Sequence, residues 1–170
     1  MMINCINKNN NNYNNNISSY SQFYKNKYTS QDNVRRSGVI FLSKTTLDLK
    51  LLVVKGKLSG IYSFPKGRHN NSYESNEECA IREVYEETGI KLNHNDIENS
   101  HICKIGRNTY FILESCENKY NNFCINDTNE VCEVAWKTIS ELKELNCNKD
   151  IRNILQYPSK KFRYHEYIYL

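Results

Sequence analysis

The chain has 170 residues, 39% of them apolar and 25% charged, with a net charge of +4. No apolar run approaches the ~20 residues a bilayer span needs, and the N-terminus lacks the basic and apolar regions of a secretory signal. The seven cysteines, Cys5, Cys79, Cys103, Cys116, Cys124, Cys132 and Cys147, are odd in number and form no C-x-x-C pair, so neither a disulfide framework nor a zinc site is expected and the protein reads as intracellular and cytoplasmic.

Residues 4–16, NCINKNNNNYNNN, are mostly asparagine and offer almost nothing to bury, so 1–33 is expected to be a disordered tail. The remainder of the chain is long enough for one core: a single domain over 34–158, then a basic and aromatic tail over 159–170. VIFLS (39–43) and LKLLVVK (49–55) are β-rich runs joined by the largely polar turn 44–48, a hairpin candidate. IYSF (61–64) is a short strand stopped by Pro65.

Ser75 followed by Glu78 has the form of a capping box, and Gly89 stands where a left-handed residue ends a helix. A helix of about fourteen residues is predicted between them, with Ile90-Lys91-Leu92 extended beyond it. At ~100° per residue, Ala80, Ile81, Val84, Tyr85 and Thr88 share a packing arc, while Glu83, Glu86 and Glu87 cluster on the adjacent one. HICKI (101–105), NTYFILES (108–115) and CEVAWKTI (132–139) are three further strands, and helical pattern returns at 139–145 and 150–157. The order β-β-β-α-β-β-β-α is an α+β chain.

Three carboxylates on one arc repel one another. A hard divalent cation offsets that cost, since magnesium is usually held by a few carboxylates with its remaining positions left to water and substrate phosphate.

The stretch SFPKGRHNNSYESNEECAIREVYEETGI (63–90) resembles the Nudix box. Glu74, Arg82, Glu83, Val84, Glu86, Glu87, Gly89 and Ile90 match at the required spacing, while Gly67 lies one residue too far upstream, so the loop 68–73 carries one extra residue. The resemblance implies an α/β/α sandwich with a mixed sheet, and hydrolysis of a phosphoanhydride bond with Mg2+ or Mn2+. Glu83, Glu86, Glu87 and the Gly67 carbonyl would be metal ligands, Arg82 would orient the glutamates, Glu74 would anchor the loop, and Lys66 and Arg68 would bind substrate.

SFPKGR, CAIREVYEETG and NEVCEVAWKTISEL (129–142) look most like the catalytic subunit of the mRNA-decapping enzyme, in the stand-alone form of large DNA viruses. By that resemblance Glu130 becomes a candidate metal ligand or general base, with Glu133 the fallback and Trp136 the aromatic ending the strand. It implies release of 7-methylguanosine diphosphate from capped RNA, and no activator subunit of the usual type. Patterns such as FPKG and REVYEE also fit dinucleoside-polyphosphate or diphosphoinositol-polyphosphate hydrolases, and a non-catalytic nucleotide- or RNA-binding module is a further alternative. Lys160, Lys161 and Arg163 among the tail aromatics are candidate RNA contacts. Tyr62, Tyr110, Phe111 and Trp136 are candidates both for stacking on a cap base and for the core.

Overall fold

The structure is a computed structural model that describes residues 34–44, 48–115 and 117–156. The expected tails, with Lys160, Lys161 and Arg163, lie outside the described residues. Apolar residues on both sides of the strands organise the rest. In β1 (Arg36–Lys44) Val39 and Phe41 enter one core while Ile40 and Leu42 enter another; in β2 (Leu49–Gly56) Leu52 joins the first, and Leu51 and Val53 the second. Strands alternate sides, so a sheet with both faces apolar must be covered on both.

The first face is covered by α1 (Asn76–Thr88), which contributes Ala80 and Val84, and by α2 (His94–Glu98), which contributes Ile97. The second is covered by α3 (Ile139–Glu144) and α4 (Lys149–Gln156), through Leu142, Ile151 and Ile154. The result is the expected α/β/α sandwich.

The seven-stranded sheet is mixed. Besides β1 and β2 it contains β3 (Tyr62–Ser63), β4 (Lys66–Arg68), β5 (His101–Ile105), β6 (Asn108–Glu114) and β7 (Val131–Thr138). β1 runs parallel to β6, and every other named pairing is antiparallel. β1 pairs with β2 only at Leu42–Lys44 and with β4 at Arg36–Gly38. β1 and β2 therefore splay apart below their hairpin, and the chain from β3 through Pro65 to β4 fills the wedge, where the Pro65 carbonyl accepts the Val39 N–H at 3.1 Å.

Three elements go beyond those expected from the sequence: β4, α2 and a single 3-10 turn at Glu117–Lys119. β4 has no apolar alternation, and it is a strand only because the free stretch of β1 pairs with it. α2 occupies part of the segment between α1 and β5, opened by an Asn93–Asp96 capping box. Tyr85, expected on the packing arc, is 42% exposed; Glu83 and Glu87 take the covered side instead, beneath β4.

Ile151 is fully buried in the second core. Ile151→Ala is expected to cost about 2–5 kcal/mol, read from urea unfolding. A cost below about 0.5 kcal/mol, the usual range for surface positions, would mean that α4 is not a structural layer.

Candidate active site

The carboxylate helix is fixed at both ends. Ser75 accepts the Glu78 N–H at 3.1 Å and Glu78 accepts the Ser75 N–H at 2.8 Å, closing the capping box. Gly89 has φ 76°, and a Cβ there would run into the Cys124 carbonyl. The carbonyls left over at this end are taken up by a crossing loop. Thr88 O accepts from Cys124 N at 3.0 Å, Glu86 O from Asn126 N at 3.0 Å and Asp127 N at 2.8 Å, and Tyr85 O from Asn126 Nδ2 at 2.8 Å.

Arg82 organises the acidic face. Its Nε and Nη2 grip Glu74 at 2.8 and 3.1 Å, Nη1 reaches Glu83 at 2.8 Å and Glu86 at 3.0 Å, and Nη2 also donates to the Arg68 carbonyl at 2.8 Å. The planar five-donor fork of arginine is what makes this possible. Hydrogen bonding from Arg82 holds Glu74 below the usual carboxylate range, and bonding to Glu74 in turn raises Arg82. Glu74 also accepts the Asn70 N–H at 2.7 Å. Within the lengthened loop, Asn71 Oδ1 accepts from Tyr73 N and Glu74 N at 2.9 and 3.0 Å; Glu74 still meets Arg82 and Gly67 still lies against Glu83.

Glu87 is pinned from the other side by the Lys66 N–H at 2.8 Å. Only 7% and 9% of Glu87 and Glu83 are exposed, so these two are not part of a solvated stripe, whereas the Glu86 side chain is 42% exposed. Burial pushes the Glu87 carboxyl well above its ordinary range, against the charge and N–H of Lys66, with Glu83 and Glu130 adding to the rise. Burial also raises Glu83, opposed by Arg82. Gly67 lies against Glu83 so closely that a Cβ would overlap its carboxylate; its carbonyl accepts from the Cys79 thiol at 3.6 Å.

These groups line one cleft of about 750 Å³ with Lys66, Gly67, Arg68, Arg82, Glu83, Glu86, Glu87 and Glu130 on its walls. Glu83, Glu86, Glu87, Gly67, Arg82, Glu130, Lys66 and Arg68, the catalytic, metal and phosphate-binding candidates expected from the sequence, are all on that surface, whereas the fallback Glu133 and the aromatic candidates are not. Glu130 arrives there on the crossing loop: Asp127 Oδ1 accepts from Asn129 N and Glu130 N at 3.0 and 3.2 Å, and the Glu130 carbonyl accepts from Lys57 N at 2.8 Å. Glu133 is engaged elsewhere, accepting the Tyr62 hydroxyl at 2.9 Å and facing Lys55 at 3.9 Å. Sequence reasoning missed Asp127 and Arg36, both of which line the cleft; the Asp-x-Asn turn signature could have revealed the first, whereas the second depends on strand register.

Hard carboxylate oxygens, two of them on buried side chains, are the donor chemistry that suits a divalent cation at Glu83, Glu86 and Glu87. Among the described residues the potential ligand atoms that lie within 4.8 Å of one another are those of His69, Glu74 and Cys79, and these are already committed. His69 bonds the Glu74 carbonyl and Ser37 Oγ at 2.9 Å each, and Arg82 occupies Glu74.

The aromatic candidates are core residues: Tyr62, Tyr110 and Phe111 are buried, and half-buried Trp136 donates to the Tyr120 carbonyl at 2.8 Å. Cys79, Cys103, Cys124, Cys132 and Cys147 are free thiols. Among the described residues no helix is long and apolar enough to cross a membrane.

A carboxyl whose folded pKa is raised adds stability below its unfolded value, and that stability is lost as pH rises through the folded value. In chelator, the melting temperature of the wild type is therefore expected to fall relative to Glu87→Gln as pH rises above about 4.3, the unfolded value; parallel pH profiles would contradict the buried carboxyl. Gly67→Ala displaces the Glu83 carboxylate and is expected to lower divalent-ion affinity about 10–100-fold, measured by Mn2+ titration, with an unchanged isotherm as the contrary result.

A model of the NUDIX domain matches residues 32–157. The chain is 30% identical over 108 residues, 62% of its length, to the m7GpppN-mRNA hydrolase of Saccharomyces cerevisiae, and 32% over 103 residues, 58% of its length, to the mRNA decapping complex subunit 2 of Schizosaccharomyces pombe. It spans 11% and 14% of the lengths of those relatives. Among solved structures, the NUDIX domain of Shewanella oneidensis NrtR, complexed with ADP ribose, superimposes with TM-score 0.59 at 14% identity, covering 84% of this chain and 96% of that one. With eight positions of the box matched at their spacing and its carboxylates lining one cleft, the chain belongs to the Nudix family, as an enzyme of the hydrolase type.

Proposed function

We propose that the protein is a metal-dependent pyrophosphohydrolase that removes the 7-methylguanosine cap from mRNA, releasing 7-methylguanosine diphosphate and 5′-monophosphate RNA. The observation that carries this reading is the 30% identity over 108 residues to a yeast m7GpppN-mRNA hydrolase, a match far longer than the box itself. Bound Mg2+ or Mn2+ would neutralise phosphate oxygens as a Lewis acid.

Every other part of the reaction falls to the chain. Glu83, Glu86 and Glu87 hold the cation, and Arg82 fixes their directions. Lys66 and Arg68 draw phosphate oxygens into the cleft. Glu130, exposed at the cleft wall, takes the proton of the attacking water. The water oxygen bonds to the β-phosphorus of the cap while the bridge to the RNA α-phosphate breaks, and that oxygen leaves on the RNA. Lys160, Lys161 and Arg163, outside the described residues, are the proposed contacts of the RNA body. The free thiols fit an intracellular setting.

A second reading, hydrolysis of a dinucleoside or diphosphoinositol polyphosphate, draws on one feature: among the described residues, none lining the cleft is aromatic. A cleft lined mostly by charges and small polar groups, with Val54, Ile61 and Val131 its aliphatic members, suits a phosphate chain whatever its ends carry.

One assay separates the two. Labelled 7-methylguanosine diphosphate is expected from capped RNA with Mg2+ or Mn2+, falling about a hundredfold or more in Glu87→Gln and weakening steeply with salt. Turnover of dinucleoside or inositol pyrophosphates without turnover of capped RNA would replace the decapping reading with the second one.

A further inference from the structure

β1 and β4 pair antiparallel with Arg36 opposite Arg68 and Gly38 opposite Lys66. Residues directly opposite in such a ladder share a face, and so do residues two apart. Three cations therefore stand on one face of a two-stranded ribbon, and all three line the cleft. The absence of a side chain at position 38 permits this, because a Cβ there would overlap the Pro65 carbonyl and Lys66 Cβ.

Among the described residues none of the three has a carboxylate within ion-pair distance; Arg82 takes Glu83 and Glu86, and Lys50, Lys55 and Lys137 pair with other carboxylates. Like charges directly opposite each other are destabilising. Arg36 and Arg68 impose that cost across Cα positions about 5 Å apart, beside a cleft wall of carboxylates that they do not neutralise.

We infer that Arg36 and Arg68 form a clamp for a phosphate next to the one held at the carboxylates, so that the cleft takes chains of three or more phosphates in preference to two. Each guanidinium offers a planar fork that matches phosphate oxygens two at a time, and two forks on one face can grip a single phosphate from both sides. Lys66, between this pair and Glu87, bridges the two phosphate positions. Arg36 is a specificity residue: it binds substrate and takes no proton. The inference deepens the proposed function, resting on the reading that the cleft accepts a phosphoanhydride, and names chain length as what the cleft distinguishes.

The test is calorimetric binding of the magnesium complexes of imidotriphosphate and imidodiphosphate, neither of which is hydrolysed, to the full chain. Arg36→Ala and Arg68→Ala are each expected to weaken imidotriphosphate binding about tenfold or more, the weight of one or two charge-assisted hydrogen bonds, while imidodiphosphate binding changes less than about threefold. Arg36→Lys should recover part of the loss, since it restores the charge without the fork. Arg35→Ala, adjacent in sequence and bonded instead to Asn76 at 3.2 Å, should leave both affinities unchanged. Equal losses for the two probes, no loss for either, or wild-type chain that does not prefer imidotriphosphate would each overturn the clamp. Because no turnover is needed, a failure of cap hydrolysis leaves this test standing, and a failure here leaves the hydrolase reading untouched.

Discussion

The site depends on one side chain meeting acceptors from three directions. Arg82 bonds Glu74 at the loop before α1, Glu83 and Glu86 on α1 itself, and the Arg68 carbonyl at the end of β4. Each bond alone would be an ordinary ion pair or carbonyl contact; together they tie a loop, a helix and a strand to a single planar group. Because the guanidinium keeps its charge at any physiological pH, the arrangement does not come apart by titration of its centre. Arg82 is thus a positioning residue first, and its charge offsets only part of the negative charge around it.

That arrangement lets an acidic cluster survive burial. Glu87 lies outside the reach of Arg82 and is held by the Lys66 N–H, so β4 restrains the far edge of the cluster while Arg82 restrains the near edge. The wedge between β1 and β2 places β4 there, and the crossing loop, bonded to the last carbonyls of α1, brings Glu130 to the opposite wall. The sheet, the wedge and the helix cap converge on one cleft whose uncompensated charge is a demand for cations on one side and for phosphate on the other.

Local signals are legible in the sequence, and signals that depend on pairing are not. The Ser75–Glu78 box, Gly89 and the strand runs each carry their meaning within a few residues, and the structure places those elements within a residue or two of expectation, except that β1 begins three residues before its apolar run. β4 is three residues, Lys-Gly-Arg, with no alternation to read; its register makes it a strand and puts Arg36 beside Arg68. Tyr85 falls on the wrong arc because helical periodicity ranks residues by polarity, whereas here β4 covers the glutamates and leaves the tyrosine outside. The extra loop residue puts the Gly67 position in question on spacing alone, yet Gly67 lies against the Glu83 carboxylate, with the loop turned at Asn71.

Mn2+ titration of wild type against Arg82→Ala, followed by electron paramagnetic resonance, is the most direct test of the role of Arg82. By Coulomb attraction alone, removing a cation beside Glu83 and Glu86 should tighten cation binding. If Arg82 orients the ligands, affinity should instead fall about 10–100-fold although the site has become more negative. Tighter or equal binding in Arg82→Ala would show that the glutamates need no such support, and would contradict the dependence of the site on this one side chain.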